Sequence, residues 1–346
     1  MTEKSTYLQG RGAQFNPNSP FDQLLKDEYL LINTDTRHIP THPKTIVNKV
    51  DSPDIPLPYS INPYQGCEHG CVYCYARNTH PYWGYSAGLD FEKNILIKEN
   101  VPQLLRSFLD KKNYQVGPIM LSGNTDCYQP AEQKYLLTRK VLEICLEYKQ
   151  PVGIITKNAL VLRDVDIIKQ MADEQLIYVL LSITTLDEKL RLKLEPRTST
   201  IRKRLQTVQQ LSESGIPVNI MMAPIIPGLT DVEIFNMAKA ARDHGAWDLY
   251  YTVMRLNGDV EIIFKDWVEK NFPDRAQKIM NQTAEAHGGQ VNDSRFGTRM
   301  KGTGQVAEVI KATMKMAKKK YDLPSRSLPV LDCTKFQRPG AQLSLF

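Results

Sequence analysis

Three of the six cysteines fall within Gly66-Cys67-Glu68-His69-Gly70-Cys71-Val72-Tyr73-Cys74-Tyr75, a C-x3-C-x2-C spacing, while Cys127, Cys145 and Cys333 are scattered. Soft thiolates on one short loop suit iron–sulfur clusters and can hold three irons of a cubane. With no fourth cysteine nearby in the sequence, one iron is left open to a small-molecule ligand, and redox chemistry belongs at that corner. The same residues admit a zinc site in which His69 completes Cys3His. Structural zinc usually draws two ligand pairs from separated turns. Here all four ligands would crowd into residues 67–74, so the spacing favours the cluster. A disulfide scaffold does not fit a chain of 346 residues with cysteines so placed.

The elements that must position this loop are visible as alternating apolar runs and amphipathic stretches. Strands are expected at Ser60–Tyr64, Pro118–Leu121, Val152–Thr156, Ile177–Ile183, Val218–Met222 and Leu249–Met254. Between them, helices are expected at 101–111, 131–148, 162–174, 187–194, 201–214 and 231–244, the last with Thr230 as N-cap and Glu233 three residues on. Six near-continuous apolar strands, each followed by a helix, argue for parallel β/α units with right-handed crossovers. The expected fold class is α/β, an incomplete (β/α)6 TIM-like barrel over residues 59–258. Residues 1–58, dense in Pro, Asn, Asp and Thr, read as an irregular N-terminal cover. Residues 259–340 read as a helical C-terminal extension, and 341–346 as a tail. The cysteine loop follows the first strand, and active sites of β/α barrels lie at the C-terminal ends of strands.

C-x3-C-x-aromatic-C in that position resembles the radical S-adenosylmethionine superfamily. The resemblance implies a [4Fe-4S] cluster on Cys67, Cys71 and Cys74. Its unique iron would chelate the amino and carboxylate groups of S-adenosylmethionine, and reductive cleavage would give a 5′-deoxyadenosyl radical that abstracts hydrogen from substrate. On the same basis Tyr73 borders the adenine. Tyr75, in Tyr-Cys-Tyr, is similar to hydrogen-relaying tyrosines of the spore photoproduct lyase branch. The turn after the second strand, Leu121-Ser122-Gly123-Asn124-Thr125-Asp126-Cys127-Tyr128, supplies Asp126 as a contact to the S-adenosylmethionine amino group. Lys157, Ser182 and Arg197 (in Glu195-Pro196-Arg197) are further candidate contacts, a cation, a hydroxyl and a guanidinium fork suited to carboxylate and ribose. The lyase carries a catalytic cysteine in that turn where this chain has Gly123. Cys127, four residues on, is the candidate thiol hydrogen donor, and the departure counts against thymine-dimer reversal. Three longer stretches, RGAQFNPN, SINPYQGCEHGCVYCYAR and SRFGTRMKGTG, extend the resemblance to a photoproduct lyase-like branch over nearly the whole chain.

Charge bears on partners. Lys and Arg number 44 and Asp and Glu 38, a net +6, and residues 300–340 carry nine Lys or Arg against three Asp or Glu. A basic, amphipathic segment at 311–320 suits phosphates through counterion release, and equally suits a solvated helix face. The terminal Gln342-Leu343-Ser344-Leu345-Phe346 resembles the pentapeptide that docks bacterial repair proteins on the sliding clamp, a compact apolar plug for a preformed pocket. The longest apolar run, Leu176–Leu181, is far short of the ~18 residues of a membrane span. The N-terminus lacks the basic-then-apolar order of a signal peptide. The expectation is a cytoplasmic radical enzyme that needs a reducing electron donor and modifies or repairs nucleic acid, DNA favoured. Radical modification of RNA or of a protein side chain is one alternative, and a non-catalytic iron–sulfur sensor on DNA is another.

Overall fold

The computed structural model describes residues 8–17, 36–323 and 328–340. Its strands are β1 (Arg37–Thr41), β2 (Val47–Lys49), β3 (Tyr59–Ile61), β4 (Tyr64–Gln65), β5 (Asn94–Lys98), β6 (Ile119–Leu121), β7 (Val152–Thr156), β8 (Ile177–Ser182), β9 (Val218–Ile225) and β10 (Leu249–Val253). One sheet has the order β10-β9-β8-β7-β6-β3-β2, and a smaller one the order β1-β5-β4. Within the large sheet the six strands from β3 to β10 run parallel in chain order, with β2 antiparallel on the edge. This is the expected α/β arrangement of a partial barrel, and no pairing joins β2 to β10 among the described residues.

The central strands read as unbroken apolar runs because both faces are covered. On one face Ile119, Val152, Ile154, Val179, Leu181 and Ile220 meet helix residues such as Leu105, Val141, Ile168, Leu211 and Met237. On the other, Met120, Tyr178 and Leu180 pack with Leu57 and Leu331, joined by Ile55, Ile155, Met221, Tyr250 and Leu328. Segments from both ends of the chain therefore fill the inner face. Gly153 pairs with Tyr178 across β7 and β8, and a Cβ there would come 2.8 Å from the tyrosine ring, so glycine is what admits that ring.

Several local features differ from the sequence expectation. The first 58 residues contain β1 and β2, which their polar and proline-rich composition conceals. Pro40, with no amide to donate, is tolerated because β1 is an edge strand. The strand NILIK of β5, buried throughout, was also not anticipated. The helix expected over 131–148 breaks at Leu136, which adopts φ 55°, and the Glu132 carboxylate then receives the Thr138 amide at 2.9 Å at the start of helix Leu137–Glu147. Thr230 caps nothing; its hydroxyl accepts the Ile226 amide, and Glu233 turns back to Thr185 and the Leu186 amide.

The C-terminal part is built onto the barrel. Helix Gln305–Lys320 buries Ala307, Ile310, Met314 and Ala317 in the same core as helix Ile234–Asp243. Part of its basic character is spent internally, since Lys318 pairs with Asp248 at 2.5 Å and Lys311 with Glu308 at 3.2 Å. The chain then crosses the N-terminal ends of the strands: Asp332 donates to the Gln175 carbonyl (3.0 Å) and Gln337 to that of Tyr148 (2.9 Å). On the open side, Met300 accepts the Val253 amide (2.9 Å) and Arg299 grips Asp54 and Ser52, so the 291–304 loop links the β10 edge to the segment before β3.

Candidate active site

Pro63 ends pairing in β3, and the chain crosses into the small sheet for Tyr64–Gln65 before entering the cysteine loop. Gly66 and Gly70 hold φ of 80° and 68°, and a Cβ at Gly66 would sit 2.8 Å from the Asn94 carbonyl. The loop is tied down by its own backbone: Cys67 donates to the Phe91 carbonyl (2.8 Å), Val72 to Leu194 (3.1 Å) and Cys74 to Cys71 (3.3 Å). Cys67 and Cys71 are buried and Cys74 half-buried. Burial, reinforced by neighbouring anions, pushes the Cys67 and Cys71 thiols well above their ordinary range, and burial raises Cys74 as well. Thiolates in such a place require a metal to hold them deprotonated.

His69 is not turned toward the thiols as a zinc ligand would be. Its Nδ1 lies 3.3 Å from Asp126 and its Nε2 3.4 Å from the Asn158 amide. Among the described residues no three His, Cys, Asp or Glu side chains close on a single-ion site. Cys127 and Cys145 are buried in the main core and Cys333 lies at the far end of the strands. The donor set is therefore three thiols on one loop, which fits a cluster with one open corner better than Cys3His zinc.

Two buried ion pairs stand behind the loop. Arg77 and Glu92, both fully buried, pair at 2.5 Å, and Arg77 also donates twice to the Cys71 carbonyl, at 3.0 and 2.9 Å. Glu195 and Arg204 pair at 2.5 Å, and Glu195 additionally receives the Tyr73 hydroxyl and the Thr184 hydroxyl. Burial alone would raise the Glu195 pKa, but Arg204 and Lys157 outweigh it and hold it at about 2. Lys157 is pulled down by burial and carried above its ordinary value by Glu195 and Cys71, with its ammonium 5.9 Å from the Tyr73 ring centre.

The sequence-derived site residues outside the cluster ligands divide into three groups. Tyr73, Tyr75, Lys157 and Ser182 are gathered around the loop and the C-terminal strand ends. Tyr73 is pinned by Glu195 and Thr184, and Tyr75, 54% exposed, donates to the Gly123 carbonyl at 2.5 Å. Ser182 ends β8, and its carbonyl accepts from Arg204 at 2.9 Å. Asp126 and Arg197 are already committed to protein partners. Asp126 accepts from Thr156, Tyr128 and Lys157 backbone or hydroxyl donors at 2.8–2.9 Å and faces His69, and Arg197 reaches Glu68 and Thr36 at 3.2 Å. Cys127 is buried behind the turn, its amide bound to Ser122 and its thiol raised well above normal by burial. The turn and loop are further stitched together by Gln129, which accepts from Glu68 and donates to Gly66, both at 3.0 Å.

The family model of the Radical SAM superfamily matches residues 61–241, just over half the chain, and its matched span contains all three loop cysteines. The chain belongs to the radical SAM superfamily. It is accordingly an enzyme whose family uses a [4Fe-4S] cluster and S-adenosylmethionine. The uncharacterized protein Rv2578c of Mycobacterium tuberculosis is 31% identical over 237 residues, 67% of this chain and 69% of the relative. The uncharacterized protein MJ0683 of Methanocaldococcus jannaschii is 33% identical over 227 residues, 65% of this chain and 81% of the relative. Among solved structures, spore photoproduct lyase complexed with dinucleoside spore photoproduct aligns with a TM-score of 0.57 at 15% identity, covering 83% of this chain and 80% of that one. The shared fold is that of a radical SAM enzyme, an α/β partial barrel.

Glu92, Glu195, Arg204 and Gln129 were not singled out from the sequence, and Arg77 and residues 11–13 entered only as parts of longer matching stretches. The charged and amide side chains among them are ordinary polar residues until folding buries them against the loop. The one available signal was Glu195 itself, two positions before the arginine that drew attention.

Proposed function

We propose that this radical SAM enzyme holds its cluster on Cys67, Cys71 and Cys74 and acts on nucleic acid, with DNA as the favoured substrate. The observation that carries the cofactor site is the isolated set of three thiols, two buried and one half-buried, on one glycine-braced loop at the C-terminal ends of parallel strands. When bound there, cluster and S-adenosylmethionine supply a 5′-deoxyadenosyl radical for hydrogen abstraction. The chain orients and shields that chemistry. Lys157 and Ser182 are the strand-end groups proposed to meet the cosubstrate. Tyr73 is proposed to border the adenine, its hydroxyl anchored to Glu195. Asp126 and Arg197 are assigned instead to holding the loop, since their polar atoms already have protein partners. Tyr75, exposed beside the turn at Gly123, is proposed to return hydrogen to the substrate. Cys127 lies in the core, so a thiol donor role for it receives no support from the geometry.

The nucleic-acid reading is supported by the net charge of +6 and by the fold shared with a spore photoproduct lyase complexed with a dinucleoside spore photoproduct. Gln342, Leu343, Ser344, Leu345 and Phe346 lie outside the described residues, and we assign them to docking on a replication clamp in the cytoplasm. The decisive experiment supplies perdeuterated nucleic acid to the anaerobically reduced, cluster-loaded enzyme. Deuterium appearing in 5′-deoxyadenosine is the expected result. Deuterium from a labelled protein pool alone would overturn the substrate class. Purified clamp should retain the full chain and release one lacking residues 342–346; equal retention of both would remove the clamp assignment.

A further inference from the structure

We propose that residues 11–13 form a strap that fixes the cysteine loop from behind, so that retention and reduction potential of the cluster depend on this N-terminal segment. The inference rests on the cluster reading above and assigns a positioning role to Gly12, Ala13 and Glu92.

Four observations meet at the strap. A Cβ at Gly12 would lie 1.8 Å from the Gly70 carbonyl oxygen and 3.1 Å from the Val72 nitrogen, so the backbone of the strap rests directly on the backbone between Cys67 and Cys74. Both obstacles are backbone atoms, which cannot swing aside as a side chain can. The Gly12 and Ala13 amides donate to the Glu92 carboxylate at 3.3 and 2.8 Å. That carboxylate, fully buried, pairs with Arg77, whose guanidinium holds the Cys71 carbonyl. Finally, Ala13 is buried in the same apolar cluster as Cys71, Val72 and Tyr73, while Arg11 bonds the Glu92 carbonyl at 2.9 Å.

The hydrogen bonds thus run from strap amides to Glu92, from Glu92 to Arg77 and from Arg77 to a ligand residue. A buried carboxylate that loses two donors carries its desolvation cost uncompensated and pulls its ion-pair partner out of place. The displacement would be felt at Cys71. Groups that orient metal ligands, and the exclusion of solvent around them, set both affinity and potential.

The test uses full-length protein reconstituted without oxygen. Gly12→Ala should keep the far-ultraviolet circular dichroism of the cluster-free protein while lowering its melting temperature, since the added Cβ must push the strap off the loop backbone. Loss of iron to a chelator should accelerate about tenfold, the low end for ligand-orienting groups, and the electron paramagnetic resonance spectrum of the reduced cluster should change. Glu92→Gln, which keeps the size and an acceptor oxygen but removes the charge, should shift the reduction midpoint. In the wild-type protein, hydrogen exchange in the peptide spanning residues 8–17 should slow when the cluster is present. A loaded wild type whose two variants match it in chelation rate, spectrum and midpoint overturns the strap. If neither variant folds, equal exchange of that peptide with and without cluster overturns it. A wild type that takes up no iron and sulfide would overturn the cluster reading itself, and the strap with it.

Discussion

Cys71 sits where the two buried ion pairs approach each other. Arg77 holds its carbonyl, and its thiol lies within the fields of Glu195 and Lys157. Replacing Glu195 by Gln leaves Arg204 buried without its counter-charge and should destabilise the protein by about 3–5 kcal/mol in urea unfolding. The pH dependence has a definite sign. Glu195 is held at about 2 against an ordinary 4.5, so the stability it contributes is complete above about pH 4.5 and is lost as pH falls toward 2. The Gln variant should lack that acid limb. Tyr75 tests a different function at the same scale. Its hydroxyl makes a single exposed hydrogen bond to Gly123, so Tyr75→Phe should cost less than about 1 kcal/mol of stability. It should leave 5′-deoxyadenosine formation intact while conversion of substrate to product falls by about tenfold or more, read by comparing the two yields.

At the level of elements, the inner face of the sheet is filled by Leu57 from the N-terminal segment and Leu331 from the C-terminal one. Leu331→Ala should destabilise by about 2–5 kcal/mol, measured by denaturant titration. Cleavage of S-adenosylmethionine per cluster should not change, because this plug lies toward the opposite end of the strands. The central parallel strands were legible because burial on both faces writes a continuous apolar run that local composition reveals, whereas the first, expected at Ser60–Tyr64, runs over Tyr59–Ile61 and Tyr64 pairs in the small sheet. β1 and β5 were not legible. RHIPT looks like a loop, and NILIK adds a strand where the strand–helix alternation expects only the helix that begins at Val101. The cysteines were legible because three ligands on one loop leave their spacing in the sequence. Arg77, Glu92, Glu195 and Arg204 were not, because a charge becomes informative only when tertiary structure buries it and supplies its partner. Asp126 and Arg197 show the converse. Their types suited the cosubstrate, but the fold satisfies them with His69 and Glu68.

For the whole molecule, the terminal segments complete the barrel instead of decorating it. Residues 11–13 brace the loop, the 291–304 loop spans the open side, and residues 328–338 close the far end. The basic helix Gln305–Lys320 packs against the barrel's outer helices, with Lys318 paired to buried Asp248 and Lys311 to Glu308 on the helix surface, and the entrance proposed for substrate lies at the cysteine end of the strands. Everything proposed for that entrance depends on three sulfurs and one open corner. Anaerobically reconstituted protein should contain iron and sulfide in the ratio of a cubane and, given dithionite and S-adenosylmethionine, should release 5′-deoxyadenosine, with Cys71→Ala releasing none. Stoichiometric zinc without iron or sulfide, or a fully loaded cluster that leaves S-adenosylmethionine intact, would contradict the account.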